Sequence, residues 1–412
     1  MLMLQVDIPV DQKARAFFFC HHVSGFSKAY DVLEGLYEHS SKPLTASVDA
    51  VSLAFFDLLC YNEKASQLSR TRYWQALSLL NASLESAESA KSDETLLSVL
   101  LLDMFVKLTN HDPPPSEAWM SHIKGALALA NMRGKSQLSE YTATRLANRV
   151  LTNFLVTCNS THDFIPPELL QLRSALEPPS KDANAKWQLN STTIEYTNLT
   201  AAIARGHLEN AETTSRAMKI DSDFISFAQS MPQDWYPQTI YIDVPSDRIF
   251  ERHYYVYPNH SISQAWVAVR ALRIMLNDIA RKHSPFQPSV TDHRGDAGSE
   301  PDVATETIDS LAREICASLP QYTLAKARNS RAGTNPVLQR IQCYTLLWQM
   351  YVAGSAASDG SGIKDWIIKQ LHFLSDDIGI RDANYVAEVL KNGVDTNPWT
   401  IHNFLGTYAF IA

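Results

Sequence analysis

Two arginines set three residues apart, Arg270 and Arg273, are the first candidates for chemistry. They lie in the stretch SISQAWVAVRALRIMLNDIARKH, which is otherwise rich in Trp266, Val267, Val269, Leu272, Ile274 and Met275. A guanidinium is rarely buried without a partner. The pair must therefore meet internal carboxylates or face a cavity that holds an anionic ligand bidentately. Just upstream stand Trp235, Tyr236, Tyr241, Tyr254, Tyr255 and Tyr257. Such an aromatic set either lines a pocket for a flat hydrophobic molecule or covers an edge of the core. A second pair, Trp119 and His122, is spaced i, i+3 in SEAWMSHIKGALALANMRG. It either walls a pocket or packs plainly with Ile123 and Ala126. His21, next to His22, falls on the helical stripe of Ala14, Phe17 and Phe18. A histidine in that place is a ligand, an acid–base group or a satisfied core residue. The ligand-binding candidates are thus His21, Trp119, His122, Trp235, Tyr236, Tyr254, Trp266, Arg270 and Arg273. No residue is assigned a catalytic role.

The motifs that carry common chemistry are missing. There is no G-x-G-x-x-G or Walker loop for phosphates, no H-E-x-x-H for zinc and no G-x-S-x-G nucleophile elbow. His111-Asp112 is followed by three prolines and lacks partner histidines at useful spacing. The SDDIGI stretch lacks the third carboxylate of a magnesium-binding aspartate motif. No metal and no cofactor are expected.

These residues need elements to hold them, and the chain of 412 residues is long enough to bury a large core. Its net charge of -8 and the lack of any five-residue Lys/Arg run argue against direct contact with nucleic acid. The five cysteines, Cys20, Cys60, Cys158, Cys316 and Cys343, form no C-x-x-C pair and read as free thiols in a reducing compartment. The start MLMLQVDIPVDQKARA reads as no secretory signal. The sequons at Asn81, Asn159, Asn190, Asn198 and Asn259 are then unused. The most apolar run, Leu96–Val106, is too short to span a bilayer. An intracellular protein, nuclear or cytoplasmic and away from membranes, is the expectation.

Helical periodicity dominates. Val51, Ala54, Phe55 and Leu58 fall on one stripe; Tyr73, Ala76, Leu77 and Leu80 fall on another. Asp93 is expected to cap ETLLSVLLLDMFVKL, a helix apolar nearly all round and hence central. Ser116 is expected to open the next helix and Gly134 to end it in a left-handed cap. The pattern predicts an all-α fold, an array of stacked antiparallel helices forming one large domain over 1–412. Its sub-regions are 10–155 and 192–412. A short irregular or extended patch lies near 232–248, and 284–302, rich in Pro, Gly, Asp and Ser, reads as a mobile loop.

Several segments, in order, resemble one known family. They include KARAFFFCHHV, DAVSLAFFDLL, RTRYWQALSLLNASLES, SDETLLSVLLLDMF and AWMSHIKGALALANMRGKSQL. Further on come MPQDWYPQTI, SISQAWVAVRALRI, EICASLPQ, CYTLLWQMYVAGS and IKDWIIKQL. Together they resemble the regulatory domain of fungal binuclear zinc cluster transcription factors, over roughly residues 10 to 390. The resemblance makes the helix around HIKGALALANMRG a packing element. Members of that family usually begin with six cysteines that hold two zinc ions and read DNA. No such cluster is present here, which implies either an excised regulatory domain or a protein without a DNA-binding module.

Two functions follow. In the first, a transcription-regulator-like helical domain binds a small hydrophobic or anionic metabolite or a partner protein. It then passes a population shift to a DNA-binding transcription factor or an attached domain, and it can also pair with a second copy of itself as a homodimer. In the second, the domain has been turned to small-molecule work in fungal secondary metabolism, as a binding protein or a cyclase or isomerase acting by positioning. A purely structural scaffold is the third possibility.

Overall fold

The computed structural model describes residues 8–24, 30–109, 116–176, 184–284, 302–324, 335–393 and 396–406, without the side chains of 116–119, 135 and 184–186. Among the described residues the fold is all-α apart from one small β-ribbon. By internal packing the described residues fall into two compact units. One lies within Met1–Thr157 and Ile165–Glu177, the other within Cys158–Phe164 and Pro178–Phe410. The expected loop at 284–302 lies, but for its two end residues, outside the described residues, as do His111 and Asp112.

The first unit begins with α1 (Val10–Phe18), which runs into a π-helical turn, Phe19–Val23. The backbone N–H of Ser24 reaches the Phe19 carbonyl five residues back at 2.9 Å. That wider turn rotates the chain by about one residue relative to an α-helix. The apolar stripe therefore passes from Ala14 and Phe18 to His22, which is fully buried, while His21 is only half-buried. After α2 (Val32–Tyr37) comes α3 (Lys42–Cys60), with Pro43 in its first turn, where a missing N–H costs nothing. By length and composition α3 could cross a membrane, but 61% of its most apolar window is buried inside the protein. It packs on α1, on α4 (Glu63–Ser83) and on α6 (Asp93–Thr109). Arg15 clamps it by donating from Nε and Nη2 to Asp49 Oδ1, at 3.0 and 2.6 Å.

The short α5 (Ala87–Ala90) leads to α6, which is buried on nearly every side and central as expected. Its cap is Ser92, whose Oγ accepts from the Thr95 N–H at 3.2 Å, rather than Asp93. Asp93 instead pairs with Arg133 beyond the end of α7 (Ser116–Asn131). Gly134 does not adopt the left-handed conformation expected of it. Its carbonyl accepts from Leu138 and so opens the short α8 (Lys135–Leu138). The Arg133 side chain ties this corner down, donating to Asp93 and to the Ser92 carbonyl, each at 2.6 Å. With those contacts made, no glycine cap is needed. The helices α9 (Tyr141–Thr161) and α10 (Pro167–Ala175) follow, α10 against α7.

In the second unit α11 (Asn184–Ala204) and α12 (Asn210–Gln229) form a helical hairpin around Gly206, whose φ of +65° suits a residue without Cβ. A 3-10 turn, Gln233–Trp235, then leads to β1 (Gln238–Tyr241) within the patch expected to be extended. Its antiparallel partner, β2 (His253–Val256), lies just beyond that patch. The long α13 (His260–Lys282) is capped by Asn259, whose side chain accepts from the Ile262 N–H at 3.0 Å. α14 (Val303–Ser318), α15 (Pro320–Thr323) and α16 (Pro336–Tyr344) precede α17 (Leu347–Ala356), the core helix of this unit. α17 packs against α13, α14, α18 (Ile363–Asp376), α19 (Arg381–Asn392) and α20 (Pro398–Leu405). Trp348 and Trp399 meet in this core with ring centroids 5.0 Å apart. Each indole N–H is satisfied, by the Pro398 carbonyl at 2.8 Å and the Tyr196 hydroxyl at 3.3 Å.

Candidate functional site

The second unit gathers most of the residues that the sequence singled out. Arg270 faces α14 and β2, where it is almost wholly buried. Its Nε donates to Glu314 Oε2 at 2.6 Å, and its Nη1 donates to the Tyr257 hydroxyl and more distantly to Ser318 Oγ at 3.4 Å. Three rings surround the cation, with centroids 5.3 Å (Tyr255), 5.9 Å (Tyr257) and 5.3 Å (Trp266) away. Burial works against its charge, but Tyr257 and Glu314 outweigh it and push the Arg270 pKa further up. Trp266, one turn before Arg270, donates its indole N–H to the Trp235 carbonyl at 2.9 Å and meets the Tyr236 ring at 5.2 Å. The 3-10 turn, β2, α13 and α14 are thus pinned around one cation.

Tyr254 is buried too, but strand alternation sets it on the face of the ribbon opposite Tyr255 and Arg270. Arg273 turns to another neighbour: its Nε and Nη2 donate to the two oxygens of Asp221 on α12, at 2.8 and 3.3 Å. Both arginines therefore meet carboxylates. His21 and His122 belong to the first unit. His21 packs edge-on against Phe17 at 4.5 Å, and burial lowers its pKa. The Trp119 side chain lies outside the described residues.

His122 leads to a network that the sequence reading passed over. One of its ring nitrogens lies 2.9 Å from the Tyr73 hydroxyl, and the Tyr73 ring stacks on Phe105 at 4.5 Å. Burial lowers the His122 pKa, with Asp103 opposing and Lys107 adding. Asp103 and Lys107 form a buried ion pair one turn apart on α6, at 2.9 Å. Asn153 of α9 donates to the same Asp103 oxygen at 2.9 Å. A signal was present in the sequence: a charged i, i+4 pair inside the run LLSVLLLDMFVKL is as anomalous as arginines on an apolar helix.

A further polar group surrounds His260 in the second unit. Its Nδ1 lies 3.0 Å from the Tyr322 hydroxyl, and its Nε2 lies 3.4 Å from Thr345 Oγ1, to which Gln264 donates at 2.6 Å. Burial pushes the His260 pKa down to about 3. A general base works best with a pKa near ambient pH, so His260 is held as a neutral structural group. Among the described residues no three His, Cys, Asp or Glu side chains converge as a metal site requires. An open groove lined by Gln12, Arg15, Ala16, Phe19 and Tyr37 contains none of the sequence-chosen residues.

The arrangement around Arg270 is suited to holding helices in one geometry through an aromatic-walled ion pair. The family-model comparison bears mainly on the first unit. No solved structure matches the chain. An uncharacterized protein of Emericella nidulans is 34% identical over 112 residues, a match spanning 27% of this chain and 23% of that protein. Residues 37–179, which run from the end of α2 past α10, match the sequence profile of the fungal specific transcription factor domain.

Proposed function

We propose that the chain is a transcription-regulatory module whose helical body takes up a small molecule or a partner protein and passes on the resulting population shift. The observation that carries this reading is the family match over residues 37–179. Three features support it. The net charge of -8 lacks the basic footprint that phosphate contacts need, so recognition of DNA falls to another module. The buried histidines His22 and His260, both with a pKa near 3, are poor proton carriers at neutral pH. The arginines that sequence reasoning held ready for a ligand or a carboxylate meet the carboxylates of Glu314 and Asp221. The place of action of such a module is the nucleus.

The test is a reporter assay. The full chain is fused to a heterologous DNA-binding domain in yeast, and reporter output is compared with that domain alone, with and without a metabolite extract. A regulatory module changes the output in either direction and responds to the extract. An output equal to that of the DNA-binding domain alone under every condition overturns the reading.

A further inference from the structure

The β-ribbon of the second unit has one covered edge and one open edge. Ile240 faces Tyr254 and Tyr241 faces His253, and the Ile242 N–H donates to the Arg252 carbonyl at 2.9 Å. Antiparallel pairing alternates, so Gln238, Ile240 and Ile242 turn their backbone groups toward β2, while Thr239, Tyr241 and Asp243 turn theirs away from it. β2 presents its other edge to α14 and α15, where the Gln321 side chain accepts from the Tyr257 N–H at 3.1 Å. Among the described residues nothing pairs with the outer edge of β1. Tyr241 is 77% exposed and Val244 is 76% exposed, so two large apolar side chains stand in water along that edge. An edge kept from partners usually carries lysine, a bulge or a covering element. The run QDWYPQTIYIDVPSD, from Gln233 to Asp247, holds no lysine or arginine. Pro237 and Pro245 bracket the open stretch and limit pairing to the residues between them.

The charge around this edge selects the partner. Asp234 precedes β1, and Asp243 and Asp247 follow it; all three are exposed and meet no cation among the described residues. Arg248 is occupied elsewhere, 3.3 Å from the centroid of the Phe373 ring and donating to Gln370. Arg252, opposite Ile242 across the ribbon, offsets one of the three charges and leaves the edge acidic. Two copies joined edge to edge would set the aspartates of one against those of the other, and like charges facing across a ladder are unfavourable. We infer that the open edge of β1 is a docking strand for an extended segment of a partner protein that bears lysine or arginine. The backbone groups of Thr239 and Tyr241 supply the ladder, Tyr241 and Val244 the apolar contact, and the aspartates the preference for a basic segment. The strand is then the partner surface of the proposed regulatory module; it rests on that reading for its purpose and not for its chemistry.

Fluorescence anisotropy with the full chain tests it, in about 0.15 M salt, with a labelled heptapeptide of alternating valine and lysine. The same peptide with glutamate in place of lysine is the control. The lysine peptide binds the wild type in a saturable way and about tenfold or more tightly than the glutamate peptide. Tyr241→Pro leaves the charge unchanged and removes an N–H that points away from β2, which an edge strand tolerates; it abolishes binding. Asp234→Asn, Asp243→Asn and Asp247→Asn together weaken binding about tenfold, as three exposed ion pairs allow. If Tyr241→Pro does not fold, the triple variant decides, and unchanged affinity there overturns the site. A wild type that binds neither peptide overturns the proposal, as does equal binding by folded Tyr241→Pro. Equal binding of the two peptides overturns the choice of a basic segment. Self-association of the wild type that Tyr241→Pro abolishes would make a second copy the occupant and overturn it too. Failure in this assay leaves the reporter experiment untouched, so the two proposals fail separately.

Discussion

Lowering the pH should unfold the second unit through His260 before most carboxylates titrate. The imidazole has a pKa of about 3 in the folded protein against an ordinary 6.5. Between those values the unfolded chain binds a proton that the folded chain refuses. Stability is therefore fully present above pH 6.5 and falls as the pH drops from there toward 3. The slope is about 1.4 kcal/mol per pH unit, or roughly 2 kcal/mol between pH 6.5 and 5.0. Urea unfolding followed by tryptophan fluorescence reads this well, because six of the eight tryptophans lie in the second unit. The variant His260→Gln keeps donors and an acceptor for Tyr322 and Thr345 but does not titrate. Its stability between pH 6.5 and 5.0 should fall less steeply than that of the wild type by about 1.4 kcal/mol per unit. Equal slopes in the two proteins would refute the reasoning, since His260 would then take up its proton in the folded state.

Other consequences follow from the buried charges. Lys107→Met leaves Asp103 without its ion-pair partner and should cost about 3–5 kcal/mol, whereas the double variant Asp103→Leu/Lys107→Met should lie within about 2 kcal/mol of wild type. A double variant as unstable as the single one in circular-dichroism melts would show that the pair does not act as a unit. Arg133→Ala frees Asp93 and the Ser92 carbonyl together and should cost about 3 kcal/mol or more in the same melts; a loss under 1 kcal/mol would contradict the account of that corner. Arg270→Lys keeps the charge but loses the planar fork held by Glu314 and Tyr257, and should cost about 2–3 kcal/mol. A neutral outcome in urea unfolding would mean that charge alone, and not the fork, holds β2 to α13 and α14.

Much of this architecture is written in periodicity. The stripes through α3, α4 and α6 are legible because each helix buries one face or, for α6, nearly all of it. What escaped depends on contacts between distant segments. The π-helical turn moves burial from His21 to His22, and no 3.6-residue pattern contains that shift. Gly134 carried the usual sign of a helix stop, but the tertiary contacts of Arg133 made a different corner. β2 was missed because a four-residue strand needs its partner to be recognised. At the candidate site, charge on an apolar helix was a sound signal for Arg270 and Arg273, and it left open whether a ligand or a carboxylate answers them. Their partners, Glu314 and Asp221, lie 44 and 52 residues away along the chain. The same signal in Asp103 and Lys107 was there to be read.

The central claim is the proposal that this protein acts as a regulatory module, which would return unchanged any small molecule it takes up. Incubating the purified chain with a small-molecule extract of the organism that makes it, and following bound and free fractions by mass spectrometry, tests that claim most directly. The account predicts that any compound retained by the wild type is recovered intact. A compound consumed and replaced by an isomer or a dehydrated product would contradict it and make the protein an enzyme.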